Sequence, residues 1–129
     1  MPGLLDLLFP RRRTSREAKA VTHALVEVVR IQLLPLGYNE ITSEGMFVGS
    51  RFVTDTSYFS LGFDLRDFEF VARMRPPGTS GEPLPPHAYQ YAEPYSVREV
   101  FSPKESLIPH KARLEARVAE CLKLFLPHS

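Results

Sequence analysis

The stretch YFSLGFDLRDFEFVARMRP, residues 58–76, alternates apolar and polar side chains on both sides of Arg66 and Asp67. Strict alternation is typical of a β-strand with one buried face, and two such runs around a short polar pair predict an antiparallel hairpin. A two-residue turn at Arg66 and Asp67 would place Leu65 opposite Phe68. This register puts eight apolar side chains on one face: Phe59, Leu61, Phe63, Leu65, Phe68, Phe70, Ala72 and Met74.

Residues 15–34 carry the pattern of a long helix. Thr14 and Glu17 have the spacing of a capping box, which predicts a helix start near Ser15. Pro35 and Gly37 indicate its end, because proline cannot donate a backbone hydrogen bond and glycine tolerates the closing turn. Its apolar stripe consists of Val21, Ala24, Leu25, Val28 and Val29. Upstream, residues 3–9 are compatible with one short helical turn.

The last part of the chain predicts a second helix, which Pro109 can begin and Pro127 ends. Capping-box patterns in 96–99 and 102–105 predict short helical turns before it. The apolar stripe of this helix contains Leu114, Val118, Cys121, Leu122 and Phe125. A cysteine in such a stripe behaves as a small core hydrophobe rather than a nucleophile.

Between the helices, residues 38–56 predict one or two short strands, whose register the pattern leaves open. The expected fold class is α+β with two layers, in which an antiparallel sheet of about three to four strands has the N-terminal and the C-terminal helix packed on one face. We expect residues 1–129 to form a single domain, with 1–13 as an N-terminal extension and 76–95 as a long Pro-rich loop.

Composition limits the classes of function. The chain has 129 residues and a formal net charge of +1, so no global field favours a polyanionic partner. Its single cysteine, Cys121, excludes an intramolecular disulfide framework and favours a reducing compartment. The opening MPGLLDLLFPRRR lacks the charge order and cleavage site of a signal peptide. We therefore expect a cytoplasmic protein.

No catalytic or metal-binding motif is present in the sequence, so we expect a non-catalytic protein without a cofactor or a metal. Asp64 and Glu69 lie opposite each other in the predicted hairpin. They are either solvated near the hairpin end, within reach of Arg66 or Arg73, or compensated by a shared proton or a metal. Four histidines are scattered without metal-ligand spacing: His23, His87, His110 and His128.

The face of the hairpin opposite the apolar side chains is predicted to meet water or a partner protein. The Pro-rich loop 76–95 contributes tyrosines, which are favoured at interfaces, although the loop could equally be an inert wrap over the sheet edge. The candidate partner-binding residues are Tyr58, Asp64, Glu69, Arg73, His87, Tyr89, Tyr91 and Tyr95. An exposed sheet face or edge could also form a homodimer.

A dense basic run near the N-terminus gives an alternative hypothesis, in which the protein binds nucleic acid or an anionic membrane surface. Basic side chains at a helix N-terminus oppose the helix dipole, so a partner would explain them. The neighbouring leucines suit a membrane surface. The anion-binding candidates are Arg11, Arg12, Arg13, Arg16 and Lys19.

The order of these elements resembles small bacterial immunity proteins of toxin–immunity systems. The resemblance covers residues 15–125 and consists of a first helix ending in LLPLGY, strands ending in FSLGFDLRDFEFVARM, then YSVREVF and a closing helix. It rests on layout, and it assigns no functional residue. It implies a non-catalytic inhibitor that binds a toxin domain and blocks it.

Overall fold

The computed structural model describes residues 10–75 and 96–126, with side chains described from residue 13 onward. It shows an α+β fold with one antiparallel sheet of five strands and two helices. Short 3₁₀ turns precede the first strand and the second helix. The elements are α1 (Pro10–Leu33), β1 (Asn39–Glu44), β2 (Phe47–Val53), β3 (Tyr58–Asp64), β4 (Glu69–Arg75), β5 (Ser96–Val100) and α2 (Lys111–Phe125).

The five strands pair in sequence order, so that each strand is antiparallel to the next one. The sequence pattern predicts a helical turn at 96–99 and does not predict the fifth strand. That prediction is wrong: Ser96–Val100 pairs along β4, with Ala72 opposite Val97. Val97 and Phe101 are buried, so pairing and burial outweigh the local capping pattern here.

The central hairpin has the predicted register. Phe59 pairs with Met74, and Phe63 pairs with Phe70. All eight apolar side chains assigned to one face are buried. The alternation alone therefore determined which side of β3 and β4 faces the core.

The turn of this hairpin differs from the prediction. Residues 65–68 separate the two strands, so that the turn has four residues, and Phe68 has a positive φ of 50°. The Asp64 carboxylate accepts hydrogen bonds from the backbone N–H of Arg66 (2.8 Å) and of Asp67 (3.2 Å). This side-chain bond to the following amides stabilises the turn.

Helix α1 begins earlier than predicted, at Pro10, which suits a first helical turn because proline has no backbone donor to satisfy there. Thr14 and Glu17 therefore lie inside the helix and do not cap it. The Thr14 hydroxyl donates to the carbonyl of Glu105 at 3.1 Å. The Glu17 carboxylate accepts bonds from the Ser106 hydroxyl and the Leu107 N–H, at 2.8 and 2.9 Å. Thr14 and Glu17, which were predicted to cap the helix, instead anchor the loop before α2.

The capping pattern in 102–105 does form its hydrogen bonds. The Ser102 hydroxyl accepts from the Lys104 N–H at 3.2 Å, and the Glu105 carboxylate accepts from the Ser102 N–H at 3.3 Å. These bonds close a turn and do not begin a helix, because the 3₁₀ turn before α2 starts only at Ile108.

The core lies between the helices and the sheet. Helix α1 contacts β2 and β3, and α2 contacts α1 and β4. All five residues of the predicted α2 stripe are buried, including Cys121. The ring of Phe125 lies 5.5 Å from that of Tyr38 and 5.3 Å from that of Phe59, measured between centroids. These aromatic contacts join the end of α2 to the middle of the sheet.

Two glycines face each other across β2 and β3, where Gly49 pairs with Gly62. A Cβ at Gly62 would overlap the Phe47 ring and would lie 2.6 Å from the carbonyl oxygen of Val48. The close approach of the backbone and the ring therefore requires glycine at position 62.

We predict that Gly62→Ala lowers the free energy of unfolding by about 1–3 kcal/mol, because the added methyl group must displace backbone atoms. Gly45→Ala is the control, since a Cβ at Gly45 meets nothing within 4 Å. Urea denaturation of the wild type and both variants measures the effect. Equal losses in the two variants would contradict this account.

Candidate functional site

The candidate site is the outer face of the sheet, which we define by the strand residues that alternate with the core side chains. One row of this face crosses all five strands. The paired residues of this row, in order from β1 to β5, are Ile41, Arg51, Ser60, Arg73 and Ser96. Ile41 and Arg51 are exposed, and Ser60 and Arg73 are partly exposed.

Four predicted partner-binding residues lie on this face but do not form one cluster. Asp64 pairs with Glu69 at one end of the hairpin, as predicted. Tyr58 lies at the opposite end, and Arg73 lies between the two ends on β4.

Asp64 and Glu69 have different hydrogen-bond and ion-pair partners. Asp64 accepts the turn N–H groups described above. Glu69 is 8% exposed and forms an ion pair with the Arg98 guanidinium rather than with Arg66 or Arg73. Arg98 belongs to the unpredicted strand β5, which explains why the sequence did not identify this pair. Within the described residues, no group of three His, Cys, Asp or Glu side chains is placed to hold a metal ion.

The outer face carries an excess of positive charge. Its strand positions hold four arginines, at 51, 73, 75 and 98, and two acidic residues, Asp64 and Glu69. Glu69 is matched by Arg98, and Asp64 is used by the turn. The Arg51 guanidinium lies over the ring of Tyr58, 4.7 Å from its centroid. Neither Arg51 nor Arg73 forms an ion pair with any residue that the structure describes.

Two polar atoms on directly paired residues of this face lack hydrogen-bond partners within the described part of the chain. Arg73 and Ser96 are directly paired in the register of β4 and β5. The Nε atom of Arg73 and the Oγ atom of Ser96 are both shielded from solvent and unpartnered within the described part of the chain. A shielded polar group without a partner costs about 1–3 kcal/mol. The outer face therefore contains unused hydrogen-bonding capacity.

A second site lies between α1 and the strands β1 and β2, and sequence reasoning missed it. The Arg30 guanidinium binds the Glu40 carboxylate with two hydrogen bonds, of 2.7 and 2.8 Å, and the Ser50 hydroxyl donates to the same carboxylate at 2.6 Å. The bonds that Arg30 donates are the main reason that the pKa of Glu40 is lowered below its usual value, and the same bonds to the Glu40 carboxylate raise the pKa of Arg30.

This ion pair borders an open cleft of about 300 Å³. Val26 and Thr42 line the cleft together with His23 and Glu44. The Nε2 atom of His23 lies 3.3 Å from the Glu44 carboxylate, and both side chains are mostly exposed. No short motif could have revealed the cleft, because Arg30 is on the helix and Glu40 follows the turn after it. Only the packing of α1 on the sheet brings the two side chains together.

The basic N-terminal run is only partly accessible. Arg13 donates to the carbonyl of Lys104 at 3.1 Å and lies 3.8 Å from the Glu17 carboxylate. Arg16 and Lys19 are exposed on α1. Residues 11–12 belong to α1, and their side chains lie outside the described part of the structure.

Several predicted features lie outside the described residues. They are the helical turn in 3–9, the helix-ending Pro127, and the loop 76–95 with its candidates His87, Tyr89, Tyr91 and Tyr95.

Comparisons with known proteins found no match to any family model and no significant match among curated proteins or solved structures. The resemblance to immunity proteins therefore stays a prediction. Within residues 10–75 and 96–126, neither helix is long and apolar enough to cross a bilayer.

We predict that Glu40→Gln lowers the free energy of unfolding by about 1–2 kcal/mol at pH 7, because it breaks a charged pair that is partly exposed on the Arg30 side. The lowered pKa of Glu40 means that its contribution is present above the ordinary glutamate pKa and is lost as the pH falls through the lowered value. The wild type and the variant should therefore converge in acid.

Urea denaturation at a series of pH values, from 7 down into acid, measures this convergence. Glu120→Gln is the control, since Glu120 is exposed on α2. A difference between wild type and Glu40→Gln that stays constant with pH would contradict the assigned role of the carboxylate.

Proposed function

We propose that this protein is a non-catalytic protein-binding domain, and that its outer face binds an acidic surface of a partner protein. The observation that carries the proposal is the charge of this face, where Arg51 and Arg73 have no acidic partner among the described residues. An opposing negative surface would supply the missing charges and increase the association rate.

The proposal requires that the outer face is not covered by the helices. The Arg30 side chain of α1 reaches Glu40, which also accepts a bond from Ser50, and Phe125 of α2 reaches Phe59. Glu40, Phe52, Phe59 and Met74 form one row across β1 to β4, on the buried side. We infer that both helices lie on that side and leave the outer face to a partner.

The composition of the outer face favours a protein over a nucleic acid. Arginine, tyrosine and partly buried aliphatic side chains such as Val53 and Val71 are typical of protein interfaces. Single-stranded nucleic acid is bound by rings that stack on bases. On this face the Phe47 ring lies against Gly62, and the Tyr58 ring is covered by Arg51.

The inhibitory form of this proposal is an immunity protein that binds a toxin or enzyme domain and blocks it. It is supported by the layout resemblance to small bacterial immunity proteins. A reducing, cytoplasmic location is part of the proposal, and the buried Cys121 thiol is compatible with it.

We predict that Val71→Asp abolishes capture of the partner from native lysate, because it places a negative charge in the middle of the outer face, opposite Gly62 and Arg98. Ile31→Asp is the matched control, since Ile31 is 62% exposed on α1. Capture at low and moderate salt, with and without nuclease, followed by mass spectrometry measures the effect. Circular dichroism and thermal melting establish that both variants fold.

Support requires one protein that the wild type and Ile31→Asp capture and Val71→Asp does not, in nuclease-treated samples. Capture that is equal for all three proteins would overturn the assignment to the outer face. Capture that disappears with nuclease would instead favour the alternative function, in which the basic residues near the N-terminus bind nucleic acid.

A further inference from the structure

The row across the outer face contains four polar side chains on four successive strands. Arg51, Ser60, Arg73 and Ser96 are neighbours in the pairing of β2, β3, β4 and β5. Adjacent strands are about 4.8 Å apart, so the two arginines start about 10 Å from each other with a serine between them. A second serine follows Arg73 on its other side. We call these four residues the Arg-Ser row.

We propose that the Arg-Ser row is a carboxylate-binding site, which receives aspartate or glutamate side chains of the partner protein. This inference rests on the proposed function and names the chemistry by which the outer face would recognise its partner. A guanidinium binds a carboxylate with two parallel hydrogen bonds, and a serine hydroxyl can donate another bond to the same group. Each arginine of the row has a serine directly opposite it in the register.

The unpartnered atoms of the row point to a ligand. Ser96 is 95% buried, since only 5% of its surface is exposed, and its Oγ has no hydrogen-bond partner within the described residues. The shielded Nε of the paired Arg73 is likewise unpartnered there. Both atoms can donate hydrogen bonds, and a carboxylate is an acceptor with two oxygens. A carboxylate therefore offers an acceptor oxygen for each of the two donors.

The neighbouring ion pair shows the same chemistry within the chain. Arg98 lies next to the row on β5, and its guanidinium binds the carboxylate of Glu69. Arg73 is on β4, two residues beyond Val71, which pairs with Arg98. No acidic strand residue is directly paired with Arg51 or Arg73. The row therefore lacks the internal carboxylate that Arg98 has.

The test uses the protein of residues 1–129 and a fluorescently labelled peptide of about ten glutamates as the probe. An oligothymidine of similar length is the competing ligand. Fluorescence anisotropy at low salt measures the affinity for each. The variants are Arg73→Gln, Arg73→Lys and Arg51→Gln. Lys123→Gln is the control, because it removes the same charge from an exposed position on α2.

We expect the wild type and Lys123→Gln to bind the peptide equally, and Arg73→Gln to bind it about tenfold more weakly. Arg73→Lys keeps the charge but loses the planar fork, so most of the affinity should still be lost. Arg51→Gln should weaken binding about threefold. Because Arg51 is exposed, its substitution should not disturb folding. The Arg51→Gln variant therefore still tests the site if the Arg73 variants do not fold.

Equal binding by the wild type, Arg51→Gln and the folded Arg73 variants would overturn the inference, and so would tighter binding of oligothymidine through the same arginines. Its failure is distinguishable from failure of the proposed function. If Val71→Asp abolishes partner capture but the Arg51 and Arg73 variants do not change it, the outer face binds a protein and the carboxylate site is wrong. If no outer-face variant changes capture, both are wrong.

Discussion

The alternating hairpin of β3 and β4 is the constraint on which the other parts of this structure depend. It places eight apolar side chains on one face, and all of them are buried. The aromatic ring of Phe125 packs directly on Phe59, so the end of α2 lies over this face. Because side chains alternate strictly along a strand, burying one set assigns every intervening residue to the outer face. The core thus determines which residues form the outer face.

Ion pairs join the helices to the two edge strands, β1 and β5, on either side of this apolar centre. On the β1 side, Arg30 of α1 binds Glu40. On the β5 side, Arg113 and Arg117 of α2 bind Glu99, with Arg117 at 3.4 Å. Edge strands have an unpaired side and few neighbours, so specific polar contacts help to determine how the helices sit against them. The interior of the sheet is held by apolar packing, and its edges are held by ion pairs.

The outer face differs from the core and the edges, because some of its charged and hydrogen-bonding groups have no partner among the described residues. Arg98 is neutralised by Glu69, whereas Arg73 and the neighbouring Ser96 contain shielded atoms without partners among the described residues. Such groups reduce the stability of the free protein. Local departures from full satisfaction of polar groups are characteristic of sites that bind something. In the function that we propose, a carboxylate-bearing partner would supply acceptors for these groups.

The sequence by itself determined the hairpin register, the buried stripe of α2 and the α+β class, because each follows from the spacing of apolar residues within one segment. The tertiary structure alone decided that 96–100 forms a fifth strand, that Thr14 and Glu17 anchor a distant loop, and that Glu69 binds Arg98. These features join residues that are far apart in the chain, with sequence separations of 91, 90 and 29 for the three side-chain bonds. Local patterns carry no information about which distant groups will meet, since that depends on how the helices and strands pack.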